Sequence, residues 1–268
     1  MRLSALTRTA LAALAVGVVL FLFAPLVVII YFAFGKSNVQ TFPIHHWTTY
    51  WFSVAWNDPA VRSALWLSIK AGVAATAIAL ILGTLVAFGI HRFKFFGRDT
   101  VSLLLVLPIA LPGIVTGLAL QSAFNLAGIP FSIYTIIIGH ATFCIVVVFN
   151  NVIARLRRTS MSLIEASADL GATPFQTFRL VTMPMLSTAI VAGALLAFAL
   201  SFDEVIVTTF TAGAQNTLPL WIFGAIRLGQ QLPEVNAVVV GVILLTVIPI
   251  VVAARISSGE GLGGAGRL

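Results

Sequence analysis

Long apolar stretches alternate with short polar connections along most of this chain. Six stretches are long enough to cross about 30 Å of hydrocarbon as helices of about 20 residues. They cover residues 11–34, 64–90, 100–124, 133–152, 186–211 and 235–256. Helices satisfy their own backbone hydrogen bonds in lipid, so the pattern predicts an all-α integral membrane protein with six transmembrane helices.

The spacing of these stretches predicts three regions. Residues 1–62 would hold the first transmembrane helix and an outside loop, and residues 63–256 would form a transmembrane core with a polar segment at 155–184. Residues 257–268 would be a flexible cytoplasmic tail. The glycines of that tail match the letters of a dinucleotide-binding fingerprint. We predict no dinucleotide site there, because no strand is expected before them and no room is left for a helix after them.

Composition excludes a soluble domain. Hydrophobic residues make up 60% of the chain and charged residues 9%, with a mean hydropathy of +1.08, whereas soluble domains carry about 25% charged residues. The first apolar run is too long for a signal peptide, so we expect an uncleaved span. Cys144 is the single cysteine and is expected to be a buried packing residue. The pair His45-His46 lacks a third ligand nearby, so we predict no metal site.

Lysine and arginine flank the stretches unevenly. With the N-terminus inside, the cytoplasmic side collects eleven of them: Arg2, Arg8, Arg92, Lys94, Arg98, Arg155, Arg157, Arg158, Arg179, Arg255 and Arg267. The outside keeps four: Lys36, Arg62, Lys70 and Arg227. Positive residues beside short loops stay cytoplasmic, so both termini are predicted to be cytoplasmic. The net charge of +7 is then a topology signal and not evidence for nucleic-acid binding.

The polar segment between the fourth and fifth stretches predicts two short helices. Ser162 and Glu165 have the spacing of a capping box, which would start the first helix. Gly171 stands where that helix should end, and residues 173–176 (Thr-Pro-Phe-Gln) have the cap and proline that start a second helix. The residues alone favour neither of two roles, a surface that docks into a partner or a helix at the lipid headgroups.

A resemblance decides between these roles. Glu165-Ala166-Ser167, then Gly171, then Val181-Thr182-Met183-Pro184 resemble the signature of permease subunits of binding-protein-dependent ABC importers. That signature reads Glu-Ala-Ala, three residues, Gly, nine residues, Ile-x-Leu-Pro. The resemblance implies a type I ABC importer permease fold and a coupling helix that docks into an ATPase. The coupling residues would be Glu165, Ala166, Ser167, Asp169, Gly171 and Pro184.

The same resemblance implies the assembly. The partners would be a second related permease, a cytoplasmic ATPase dimer and an extracytoplasmic solute-binding protein in a bacterial plasma (inner) membrane. ATP and magnesium would be bound by the ATPase, so this chain would bind no cofactor directly and carry no catalytic residue.

Further stretches are similar to the second permease of spermidine/putrescine importers. They are residues 165–172, 200–205, 217–219, 227–229 and 233–237. The resemblance implies transport of polyamines or related cationic amines. The stretches favour polyamines over iron, sulfate or molybdate, although relatives that move other amines or small organic solutes share much of the pattern. A permease for another small solute, such as iron, an amino-acid-like compound or another organic solute, stays as the alternative.

Polar residues inside the fifth stretch are candidates for the solute pathway. A carboxylate at the bilayer centre costs about 2.5 to 3.5 kcal/mol on insertion scales, so it normally faces water or a partner. The candidates are Asp203, Glu204, Ser201 and Thr208. They would either attract a cationic solute or form a packing network. His140, Asn150 and Asn151 are expected to form interhelical hydrogen bonds.

Two prolines lie within the third apolar stretch. The third stretch is expected to kink or break over residues 108–113, which hold two prolines.

An ATP-independent secondary transporter could also use an intramembrane carboxylate. It would be expected to show an inverted repeat with paired broken helices, and only one well-broken stretch is visible.

Overall fold

A computed structural model describes residues 4–229 and 232–246. Within these ranges the regular elements are helices, with one isolated antiparallel bridge between Gly35 and Trp47. The all-α prediction is therefore confirmed. The helices are α1 (Ala5–Ala33), α2 (Tyr50–Asn57), α3 (Pro59–Arg92), α4 (Arg98–Ala110), α5 (Gly113–Leu126), α6 (Ile133–Arg158), α7 (Met161–Asp169), α8 (Pro174–Thr177), a π-helix (Phe178–Thr182), α9 (Met183–Phe202), α10 (Ile206–Thr211), α11 (Leu218–Leu228) and α12 (Leu232–Thr246).

Four helices in the described part of the chain are long and apolar enough to cross a membrane. They are Leu6–Ala33, Pro59–Arg92, Ile133–Arg158 and Pro174–Phe202. The bent pair α4 and α5 can supply a fifth span. The described part of the sixth predicted stretch, α12, is a shorter apolar helix, and the rest of that stretch and the predicted tail lie outside the described residues. The count of six stays a prediction.

The third predicted stretch breaks where its prolines indicate. The axes of α4 and α5 differ by 102° across the break between Ala110 and Gly113. Leu111 is extended, with ψ 146°, because the ring of the following proline disfavours the α conformation in the residue before it. Pro112 also lacks a backbone N–H. The predicted break is confirmed, whereas Pro108 stays inside α4.

The prediction that the fifth stretch forms one continuous helix was wrong. It ends at Phe202, and α10 begins at Ile206. Glu204 Oε1 accepts a hydrogen bond from the Val207 amide at 2.8 Å, and the Thr208 hydroxyl donates to the Glu204 carbonyl at 2.7 Å. These local bonds start a new helix. Residues 203–205, which form the break, include neither proline nor glycine, so no helix-breaking residue marks it in the sequence.

The described residues divide into two compact units. One comprises the described parts of Met1–Arg62 and Gly224–Leu268, and the other is Ser63–Phe223. In the first unit, the loop after α1 closes on the end of that helix. The Thr48 amide donates to the Phe34 carbonyl at 2.8 Å, and the Trp51 indole N–H donates to the Gly35 carbonyl at 3.0 Å.

The second unit is built around α6, the most buried of the long helices. Cys144 of α6 is fully buried, and its thiol donates to the Ala197 carbonyl of α9 at 3.3 Å. Glycine allows close approach of α3 to α6, since a Cβ on Gly83 would lie 2.8 Å from the Ile145 carbonyl oxygen. Small residues serve this purpose where membrane helices pack tightly.

Candidate coupling segment and membrane site

The first helix of the polar segment starts earlier than predicted. Its N-cap is Ser160, whose hydroxyl accepts from the Ser162 amide at 3.3 Å. The predicted capping box of Ser162 and Glu165 is therefore wrong. Ser160 is two residues upstream and has the same capping chemistry, so it takes the cap and leaves Glu165 exposed inside α7.

The end of α7 is a Schellman motif. Gly171 has φ +80°, in the left-handed region that residues with a Cβ resist. The Gly171 amide donates to the Ala168 carbonyl at 2.8 Å, and the Ala172 amide donates to the Ser167 carbonyl at 3.0 Å. These bonds satisfy the last carbonyls of the helix. The predicted glycine turn is confirmed.

The second helix begins with the predicted capping box. The Thr173 amide donates to Gln176 Oε1 at 2.8 Å, and the Gln176 amide donates to Thr173 Oγ1 at 3.3 Å. The hydroxyls of Ser167 and Thr177 are hydrogen-bonded at 2.8 Å, which ties the two helices together. Ser167 therefore has a structural task within the segment as well as a small side chain.

The other predicted coupling residues form an exposed surface. Glu165, Ala166, Asp169 and Gly171 are all exposed, and the neighbouring Leu170 is 89% exposed. An apolar side chain presented to solvent beside a rigid turn is the type of group that anchors a protein interface.

The two long helices that flank the segment are hydrogen-bonded to each other where the segment begins and ends. The Arg155 Nε–H of α6 donates to the Met185 carbonyl of α9 at 2.9 Å. The Met183 amide bonds back to the Phe178 carbonyl, five residues away, which makes the π-turn before Pro184. Proline has no N–H to continue the α ladder, and π-turns are frequent at functional positions.

A buried histidine bridges the two sides of the break between α9 and α10. His140 of α6 is 1% exposed, and its Nδ1 is hydrogen-bonded to Ser201 Oγ at 2.7 Å. Its Nε2 is hydrogen-bonded to Thr208 Oγ1 at 2.8 Å. Ser201 precedes the break and Thr208 follows it. The expectation of interhelical hydrogen bonds is met for His140, whereas the Asn151 amide donates to Val147 within its own helix.

The four predicted pathway residues have different environments. Ser201 and Thr208 are buried and bonded to His140. Glu204 is half-buried and caps α10, while Asp203 is exposed on this chain. Asp203 is therefore the more accessible carboxylate of the pair.

The two breaks lie against each other. A Cβ on Gly113, at the start of α5, would lie 3.4 Å from the Ile206 side chain at the start of α10. A Cβ on Gly117 would lie 2.5 Å from the Phe210 ring. The two glycines let α5 approach α10 closely, so the second unit holds two interrupted spans side by side.

Comparison with protein families identifies this arrangement. Residues 79–257 match the family described as binding-protein-dependent transport system inner membrane component. The chain belongs to this family. It is a permease subunit of an ABC importer and a multi-pass membrane protein, and not an enzyme.

Relatives extend the likeness beyond the matched range. The putrescine transport system permease protein PotI of Escherichia coli (strain K12) is 36% identical over 81% of this chain and 79% of its own length. The spermidine/putrescine transport system permease protein PotC of the same strain is 31% identical over 92% of this chain and 93% of its own. The sulfate transport system permease protein CysT of Salmonella typhimurium is 32% identical over 62% of this chain.

Solved structures share the fold. A bacterial ABC transporter involved in import of the acidic polysaccharide alginate matches 97% of this chain with a TM-score of 0.68 and 17% identity. The MetNI methionine ABC transporter, in an inward-facing conformation, matches 75% with a TM-score of 0.62 and 18% identity. These two likenesses concern the fold alone, and both are to ABC transporter chains.

Proposed function

We propose that this permease forms half of the translocation pathway of an importer for polyamines, spermidine or putrescine, or related cationic amines. The observation that carries the proposal is the identity of 36% and 31% with a putrescine permease and a spermidine/putrescine permease over most of each chain. The sulfate permease matches a smaller share of the chain, 62%. Import of another small solute is the alternative outcome of the test below.

The chain would work with a second related permease, a cytoplasmic ATPase dimer that holds ATP and magnesium, and an extracytoplasmic binding protein. Glu165 to Gly171 would dock into the ATPase, with the N- and C-termini on the same cytoplasmic side. The exposed Leu170 and the rigid turn at Gly171 support a docking role, because a preorganised surface loses little conformational entropy on binding.

Asp203 would be the pathway carboxylate. Its exposure on this chain supports this assignment, as does its place in a break held by His140. A fixed negative charge in a membrane pathway attracts a cation and repels an anion. Glu204 would instead stabilise the break through its bond to the Val207 amide.

Two nearly isosteric substitutions test this assignment. Asp203→Asn removes the charge, and we expect uptake of labelled putrescine to fall at least about tenfold, the scale of one lost hydrogen bond to a charged group. Glu204→Gln keeps an acceptor for the Val207 amide and serves as the matched control with near wild-type uptake. The assay uses proteoliposomes that hold the whole importer, its binding protein and ATP.

Two results would contradict the proposal at different levels. Equal uptake by Asp203→Asn and wild type would remove Asp203 from the pathway. A wild-type importer that moved sulfate or a neutral solute and no amine would overturn the polyamine assignment, while the family membership would stand.

A further inference from the structure

A cavity of about 900 Å³ lies between the end of α3 and the coupling segment. His91 and Arg92 line it from the last turn of α3, and Ile164 and Ala168 line it from α7. Its size is in the range of about 300–1,000 Å³ that is typical of sites for small ligands. None of the six predicted coupling residues lines the cavity, so the proposed docking surface does not account for it.

The wall of the cavity is mostly apolar. Phe88 of α3 and Phe178 of the π-helix line it, and their rings pack edge to face with centroids 5.6 Å apart. Leu156 of α6 adds a buried aliphatic side chain. Apolar walls with a few polar groups are the usual form of a ligand site. These walls suit a ligand that is itself partly apolar.

One hydroxyl group in the cavity wall lacks a partner. Thr182 is 7% exposed and lines the cavity, and its hydroxyl makes no hydrogen bond within the described residues. A threonine inside a helix normally bonds to a carbonyl one turn back. The Phe178 carbonyl, four residues back, accepts instead from the Met183 amide of the π-turn. Because buried polar groups are nearly always hydrogen-bonded, the Thr182 hydroxyl indicates a partner from outside the chain.

The charges around the cavity favour an anion. Arg92 and His91 supply N–H donors, and Arg92 forms no ion pair within the described residues. Among the residues that the structure describes, no acid lines the cavity. A guanidinium group binds phosphate oxygens in a bidentate geometry, and the opposite charges strengthen these hydrogen bonds. The cavity therefore disfavours the cationic amines of the proposed function and suits a phosphate group.

The position of the cavity makes membrane lipid the source of that phosphate. Its basic residues end the apolar span Pro59–Arg92, where lipid head groups begin. The chain continues with Phe93, Lys94 and Phe96, which are all exposed. Exposed aromatic and basic side chains in alternation are typical of a segment at the lipid interface. The predicted topology puts this end of α3 on the cytoplasmic side, where the leaflet carries anionic lipids.

We propose that the cavity binds the head group of an anionic phospholipid, with Arg92, His91 and Thr182 as donors to its phosphate. A zwitterionic lipid is a poorer fit, because no acid of the described cavity wall would pair with its ammonium group. The bound lipid would fill the space beside Ile164 and Ala168 and hold α7 at a fixed distance from α3. Lipid binding does not depend on the proposed function, whereas an effect on coupling rests on the proposed docking role of α7.

Two substitutions remove one phosphate donor each. Arg92→Gln removes the guanidinium group, and Thr182→Val removes the hydroxyl with little change of shape. The probe is dioleoylphosphatidylglycerol, added to the purified permease–ATPase complex in neutral detergent. Dioleoylphosphatidylcholine has the same chains and no net charge. We expect phosphatidylglycerol, and not phosphatidylcholine, to raise the melting temperature of the complex. The lipid concentration that gives half of this rise should increase at least about tenfold in either variant.

A neighbouring lysine provides the matched control. Lys94 is exposed two residues beyond Arg92 and does not line the cavity, so Lys94→Gln should keep the wild-type response to phosphatidylglycerol. Thr182→Val should keep the basal melting temperature, because its hydroxyl has no partner within the described residues to lose. Thr182→Val therefore carries the test if Arg92→Gln does not assemble.

Three results would overturn the lipid site. The first is an equal response of the wild type and Thr182→Val to phosphatidylglycerol. The second is a loss of response in Lys94→Gln as large as in Arg92→Gln, which would show attraction by surface charge alone. The third is an equal rise of the melting temperature with inorganic phosphate at the same ionic strength, which would make the ligand a soluble anion.

Proteoliposomes separate the lipid site from its effect on coupling. ATP hydrolysis stimulated by the loaded binding protein should be faster in vesicles of phosphatidylcholine with phosphatidylglycerol than in phosphatidylcholine alone. Thr182→Val should lose that increase. If the melting temperatures behave as expected while hydrolysis is the same in both vesicles, the site stands and its link to coupling is overturned. A failure of the polyamine proposal leaves the melting measurement intact, because that measurement contains no solute.

Discussion

Replacing Gly171 by alanine isolates the conformation of the coupling turn from its contacts. Gly171 has φ +80°, and a Cβ built there meets no atom within 4 Å. The substitution therefore adds no clash, and its cost is the left-handed backbone itself, about 1–2 kcal/mol. A change of that size shifts the population of the native turn about 5- to 30-fold. We expect binding-protein-stimulated ATP hydrolysis and solute uptake by the assembled importer to fall by a similar factor.

Two further variants make this result interpretable. Gly89→Ala is the matched control, since its Cβ also meets nothing within 4 Å but its position is inside α3. Alanine should be neutral or favourable there by about 0.5–1 kcal/mol. Gly171→Asn should recover part of the activity, because asparagine tolerates the left-handed conformation. Wild-type ATP hydrolysis and uptake in Gly171→Ala would refute the coupling role of this turn.

Two other predictions address packing and orientation. Gly117→Ala would place a Cβ 2.5 Å from the Phe210 ring. We therefore expect the free energy of unfolding to fall by about 1–3 kcal/mol, measured as a lower melting temperature of the complex. An unchanged melting temperature would contradict the α5–α10 packing. In a Cys144→Ala background, a cysteine at Ser37 should react with a membrane-impermeant reagent from outside and one at Gln176 only from inside. Labelling of the Gln176 position from outside in sealed membranes would overturn the predicted topology.

Local chemistry explains what the sequence predicted well. The break before Gly113, the left-handed turn at Gly171 and the capping box at Thr173 each depend on residues a few positions apart. Competition between two nearby capping residues explains why the predicted start of α7 was wrong. Ser160 and Ser162 both have cap chemistry, and the sequence pattern does not say which of two nearby serines takes the non-helical conformation.

The second break shows what sequence patterns miss. His140 is 61 residues from Ser201 and 68 from Thr208, so the bridge across the break exists only after α6 and α9 have packed. Hydropathy alone extends the fifth stretch through Glu204, because apolar residues resume on the other side.

Helix α9 gives the proposed coupling a physical route. It runs from Met183 to Phe202 in 20 residues, about 30 Å at 1.5 Å per residue, which equals the thickness of the hydrocarbon core. Its first turn is bonded to Arg155 beside the coupling segment, and Asp203 follows its last residue. A continuous helix moves nearly as a rigid body. A tilt imposed at the N-terminal end of α9 would therefore move the proposed pathway carboxylate directly. Since His140 ties the far end of α9 to α10, that movement would carry both sides of the break together.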